Sequence, residues 1–99
     1  MRRTVVRYRV KPDRAEENAE LVRGVYKELN ESKPDGIHYA TFQLEDGVSF
    51  VHVAVLDDDA ELTELESFKR FQKEVRDRCD SPPEASSATE VGSYGLFDG

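Results

Sequence analysis

Between Ile37 and Leu56, apolar and polar residues alternate through two runs of strand length, interrupted at Glu45-Asp46-Gly47. A period of two sends successive side chains to opposite faces of a strand. It predicts one strand from about Ile37 to Glu45 and another from about Val48 to Leu56. Asp46-Gly47 is the expected two-residue turn, since that dipeptide accepts the positive φ angles a tight hairpin needs. This turn sets Thr41 opposite His52 and His38 opposite Val55. Upstream, "RTVVRYRV" (Arg3–Val10) is a β-rich run with Val5, Arg7 and Arg9 on one face and Thr4, Val6, Tyr8 and Val10 on the other. Ala15, Ala19, Val22, Tyr26 and Leu29 recur at helical spacing, which predicts about five turns opened by Pro12-Asp13 and closed by "NESKPDG". A second helical stripe runs through Leu62, Leu65, Phe68, Phe71 or Gln72, Val75 and Cys79, with "DDDAEL" supplying N-cap candidates. "DSPPEASS" reads as a loop, and "ATEVGSYGLF" as a last strand weakened by Gly92 and Gly95.

The resulting β-α-β-β-α-β order predicts an α+β, ferredoxin-like fold. It has a four-stranded antiparallel sheet, both helices on one face, and strands one and three in the centre. Neither face of the hairpin is polar enough for water. The chain's own helices cover only one, so a homodimer packed sheet against sheet is expected. The face with His38, Ala40, Phe42, Val51, Val53 and Val55 is nearly uniformly apolar and suits that seam. The face with Tyr39, Thr41, Gln43, Phe50, His52 and Leu56 mixes aromatic and polar groups. It suits a cavity under the helices.

Ninety-nine residues predict one domain spanning 1–99, and a net charge of −7 argues against nucleic acid and anionic membranes as partners. No apolar run is long enough to span a bilayer, and no secretory signal opens the chain. Cys79 is the only cysteine, so no internal disulfide is expected, in keeping with a cytoplasmic protein. Cys79 reads as a small buried residue near a helix end.

The element order, with "KPDRAEENAELV", "PDGIHYATF", "EDGVSFVHVAVL" and "ESFKRFQKEV", resembles the antibiotic biosynthesis monooxygenase superfamily of dimeric α/β barrels. The resemblance covers nearly the whole chain. It implies a sheet-to-sheet dimer with one pocket per subunit between sheet and helices. It further implies oxidation of polycyclic phenols by oxygen without cofactor, or, in another branch, haem degradation. His52 falls where the quinone-forming members carry a pocket asparagine. The family tryptophan after strand three falls at Leu56 and the helix-two histidine near Ser67, so both are absent. The haem-degrading branch uses a tryptophan and a helix histidine as iron ligand, and this chain has no tryptophan.

His52 is the leading catalytic candidate, because an imidazole titrates near neutral pH and can take a phenol proton. The bland alternative is a half-buried histidine hydrogen-bonded to Thr41 or Tyr39. Arg7, if on the pocket face, would stabilise a developing oxyanion; its alternative is an ion pair. Tyr39, Thr41, Phe50, Leu56, Phe68 and Phe71 are the expected substrate-binding wall. Tyr8 and Tyr94 read as core or wall. No metal site is expected: the two histidines lie on opposite strand faces, and the acidic runs lack calcium-loop spacing. The resemblance, taken with His52 and this wall, therefore implies a small-molecule monooxygenase acting on an aromatic or phenolic compound without metal or flavin. The rival reading is a non-catalytic dimeric metabolite-binding or accessory protein.

Overall fold

A computed structural model describes residues 1–95 of the chain. Its elements are β1 (Arg2–Val10), α1 (Ala15–Ser32), β2 (Ile37–Gln43), β3 (Ser49–Leu56), α2 (Glu66–Gln72), α3 (Val75–Arg78) and β4 (Cys79–Ser87). Short 3-10 turns at Pro12–Arg14 and Leu62–Glu64 lead into α1 and α2. The sheet order is β2-β3-β1-β4, with β1 antiparallel to both neighbours and β2 antiparallel to β3. This is the expected ferredoxin-like arrangement, with strands one and three central.

The hairpin keeps the expected register: Thr41 faces His52 and His38 faces Val55. Its turn differs. The Gly47 N–H donates to the Leu44 carbonyl (3.0 Å), and Gly47 has φ 78°, so the tip is Glu45–Val48 rather than Asp46-Gly47 alone. Asp46 explains the longer loop. Its carboxylate accepts from the Val48 and Ser49 N–H groups at 2.9 and 2.8 Å and from the Ser49 hydroxyl at 2.6 Å. An aspartate folded onto the backbone in this way makes a turn of its own.

The expected second helix is broken. It stops at Gln72, Glu74 adopts φ 64°, and Cys79 already belongs to a strand. "DDDAEL" provides no side-chain cap: Leu65 and Glu61 stand at the N-caps of α2 and its preceding turn, without side-chain cap hydrogen bonds. Asp58 instead pairs with the N-terminal amine at 2.7 Å. "DSPPEASS" is not a loop but most of β4, and Ala88–Gly95 carries no strand. Leu96 and Phe97 of the expected last strand lie outside the described residues. Among the described residues β4 pairs only with β1 and is an edge strand. There a missing N–H is tolerated, and the register slips between Arg7/Glu84 and Arg9/Ser81, leaving one extra β4 residue at Pro82-Pro83.

The core lies between the sheet and the helices and contains Tyr8, Val10, Ala19, Val22, Val25, Phe50, Ala54, Leu62, Leu65 and Phe71. The opposite sheet face keeps Val5, Val51, Val53 and Val55 half-buried and Phe42, Arg7 and Arg9 exposed. Among the described residues, no helix is long and apolar enough to cross a membrane.

Candidate active site

Each sheet face follows from strand parity. On β1, Thr4, Val6 and Tyr8 point toward the helices; on β3, His52, Ala54 and Leu56 do so; on β2, Tyr39 does. Val6 stands opposite His52 and Tyr8 opposite Phe50. The helix side is completed by Leu62, Phe68, Phe71, Gln72 and Val75, and Pro83 of β4 closes one flank. These side chains surround a half-open cavity of about 270 Å3. Its walls are mainly apolar, and its polar groups are Tyr39, His52, Tyr8, Thr4, Thr63, Gln72 and Glu61.

Four expected wall residues line this space: Tyr39, Leu56, Phe68 and Phe71. Phe68 and Phe71 do not fill it; their rings pack at 5.8 Å, and His52 lies 5.3 Å from Phe71. Phe50 is behind the wall, 2% exposed and stacked on Tyr8 at 5.5 Å. Thr41 is also behind it, bonded to the Tyr26 hydroxyl at 2.7 Å. Arg7 belongs to the other face. It is exposed and opposite Val51, one residue out of phase with His52, so strand parity separates it from the cavity. The oxyanion role expected of Arg7 therefore has no geometric support within this subunit. Tyr94, expected in core or wall, is fully exposed.

His52 is 4% exposed and engaged at both ring nitrogens. Nε2 meets the Tyr8 hydroxyl at 2.8 Å. Nδ1 meets the Tyr39 hydroxyl, and Thr41 Oγ1 at 3.2 Å. Burial removes water from the imidazolium and lowers the His52 pKa to about 4. His52 is thus neutral at physiological pH and hydrogen-bonded to the partners the bland alternative named. The same desolvation pushes Tyr8 and Tyr39 well above the ordinary phenol range and Tyr26 up to about 12.

The hydrogen bonds continue beyond Tyr8. Asn18 Nδ2 donates to the Tyr8 oxygen at 2.9 Å, and Arg78 Nε donates to Asn18 Oδ1 at 3.0 Å. Asn18 is fully buried and Arg78 is 1% exposed. The interruption of α2 explains how a guanidinium is housed here. Nη2 of Arg78 bonds the Phe71 carbonyl at 2.7 Å and Nη1 bonds the Lys73 carbonyl at 3.2 Å, acceptors left over at a helix end. The guanidinium also lies 5.5 Å from the Phe71 ring centroid. Sequence reading missed Asn18 and Arg78. A polar residue one step before Ala19 on the buried stripe was the only available sign.

Ser67, where the resemblance placed a helix histidine, is buried and committed elsewhere. Its N–H and hydroxyl donate to Glu28 Oε1 at 2.9 and 2.6 Å, clipping α2 to α1. Among the described residues, no three His, Cys, Asp or Glu side chains converge as metal ligands.

No family model and no curated protein matches the sequence. Solved structures do. A Nitrosomonas europaea protein assigned by name to the antibiotic biosynthesis monooxygenases superposes with a TM-score of 0.75 at 20% identity, covering 93% of this chain and 100% of its own. A second structure so named gives 0.74 at 18% identity over 93% and 100%. The fold is that of the antibiotic biosynthesis monooxygenases. A conserved protein of Methanosarcina mazei Go1, whose name states no activity, shares this monooxygenase-like fold at a TM-score of 0.71, 18% identity, and 90% and 91% coverage.

Proposed function

We propose that the protein is a small-molecule monooxygenase that holds one compact, flat phenolic compound in the cavity and lets it react with dioxygen without metal or flavin. The observation that carries this reading is the cavity's composition. Aromatic and aliphatic walls surround one polar end, where the Tyr39 hydroxyl and the His52 ring meet. A space of about 270 Å3 is near the lower end for ligand pockets, so a ligand of few rings fits best. A phenol that loses its proton becomes electron-rich enough to pass an electron to oxygen. In the net reaction one oxygen atom becomes a quinone carbonyl and the other leaves as water, with all electrons drawn from the substrate. Tyr39 is the partner for the ligand oxygen. His52 supports Tyr39 rather than acting as the base, because both its nitrogens are occupied and its pKa is about 4. The phenol proton leaves through the open mouth to water.

The outer sheet face, with Val5, Val51, Val53 and Val55 incompletely covered and Phe42 50% exposed, is the surface on which a second copy docks in this reading. The engagement of both His52 ring nitrogens, with its pKa lowered to about 4 by burial, favours a second reading, a dimeric protein that holds a metabolite without transforming it.

Titration with a panel of naphthols and anthrols, followed by oxygen uptake, tests both. Saturable binding with one oxygen consumed per phenol supports the enzyme. Binding without uptake supports the second reading. No binding across the panel removes the enzyme reading.

A further inference from the structure

The buried hydrogen bonds running from Arg78 to Tyr39 have a direction, and the side chains themselves fix it. An arginine only donates, so the Asn18 atom 3.0 Å from Arg78 Nε is its carbonyl oxygen. The Asn18 amide nitrogen must then face Tyr8, where it donates to the hydroxyl oxygen at 2.9 Å. Tyr8 is 3% exposed, and among the described residues its one remaining neighbour at hydrogen-bond distance is His52 Nε2 at 2.8 Å. A buried hydroxyl hydrogen is satisfied only if it points there. Nε2 is therefore the unprotonated nitrogen, and the ring proton sits on Nδ1, shared between the Tyr39 and Thr41 oxygens. Thr41 already bonds Tyr26 at 2.7 Å. Tyr39, accepting from His52, has its own O–H left to donate, either to Thr41 beside it or to a ligand in the cavity that Tyr39 lines.

We propose that Asn18 and Arg78 are positioning residues that fix His52 as the Nδ1–H tautomer and make Tyr39 a hydrogen-bond donor to an oxygen of the bound ligand. Every link donates toward the cavity, beginning at a permanent positive charge, and such an array stabilises negative charge developing on the ligand. The stabilisation sought in Arg7 thus comes from Arg78, on the other side of the sheet, without contact with the ligand. The consequence for the ligand rests on the reading of the cavity given above; the tautomer does not.

The test is 15N NMR of the histidine rings at neutral pH, in the His38→Gln background so that His52 is the sole imidazole. The expected spectrum has a protonated Nδ1 and an unprotonated Nε2; a protonated Nε2 overturns the proposal. Asn18→Asp supplies the second arm. A carboxylate there still pairs with Arg78 but cannot donate to Tyr8. The Tyr8 hydroxyl then turns to Asp, its oxygen accepts from His52, and the ring switches to Nε2–H. The same tautomer before and after refutes the role of Asn18. If Asn18→Asp does not fold, Asn18→Leu frees Tyr8 from its donor and gives a mixture of tautomers; pure Nδ1–H in that variant counts against the proposal. An Nδ1–H spectrum with no phenol bound leaves this inference standing and removes the functional reading. The reverse pattern does the opposite.

Discussion

Removing the Tyr8 hydroxyl tests whether the buried chain holds the fold as well as the site. Tyr8→Phe keeps the ring, its stacking on Phe50 and its contact with Phe71. It deletes the single oxygen that serves both Asn18 Nδ2 and His52 Nε2. Both groups are almost fully buried, so water does not replace the lost partner. Each orphaned buried group costs about 1–3 kcal/mol, which gives roughly 2–6 kcal/mol for the pair. In a domain of this size that lowers Tm by roughly 10–30 °C. Tyr26→Phe is the matched control. It removes one half-buried bond to Thr41 and should cost about 1 kcal/mol. Urea unfolding followed by circular dichroism reads both. In Tyr8→Phe/Asn18→Leu the cost should fall well short of the sum of the single changes, because the second substitution removes a group the first has already orphaned. A Tyr8→Phe cost no larger than that of Tyr26→Phe, or strict additivity in the cycle, would mean that the Tyr8 hydroxyl does not hold Asn18 and His52 in one buried chain.

Other consequences are simpler to check. Desolvation lowers the His52 pKa to about 4, so between its unfolded value near 6.5 and that point the unfolded chain binds the extra proton. Stability is therefore lost as pH falls through this window, by about 3 kcal/mol in total; urea melts at pH 7 and 4.5 should show a smaller loss in His52→Gln than in the parent. Gly36 has φ +79°, and a Cβ there would meet the Asp57 side chain at 2.8 Å, so Gly36→Ala should destabilise by roughly 2 kcal/mol. Gly24, in α1, has open space among the described residues where an alanine methyl would sit, and should instead gain about 0.5–1 kcal/mol as alanine in the same melts. If a second copy docks on the outer sheet face as proposed, the parent should sediment as a dimer and Val53→Asp as a monomer in analytical ultracentrifugation, with an unchanged circular dichroism spectrum.

The sheet was legible because β1, β2 and β3 obey a period of two, and the Asp46-Gly47 signal gives the right register even though the loop is longer. The C-terminal third was not legible. Pro82-Pro83 says loop unless the strand is known to be at an edge. The helical stripe through Val75 and Cys79 also gave no sign of a left-handed residue at Glu74. His52 and Tyr39 were legible as cavity residues because face follows from parity. Arg7 was misplaced for want of the same argument: it shares a β1 face with Val5, and only the β1–β3 register shows that face to be the outer one. Asn18 and Arg78 are 60 residues apart and meet only through the tertiary fold.

In the proposed function, a phenolic ligand enters the space between Tyr39, His52, Leu62, Phe68 and Val75. Two-dimensional NMR of the labelled protein during titration with 2-naphthol addresses it directly. Saturable shifts at Tyr39, Leu62, Phe68 and Val75, with Val51 and Val53 unmoved, are the predicted result. Shifts confined to the outer valines, or none anywhere, would contradict it.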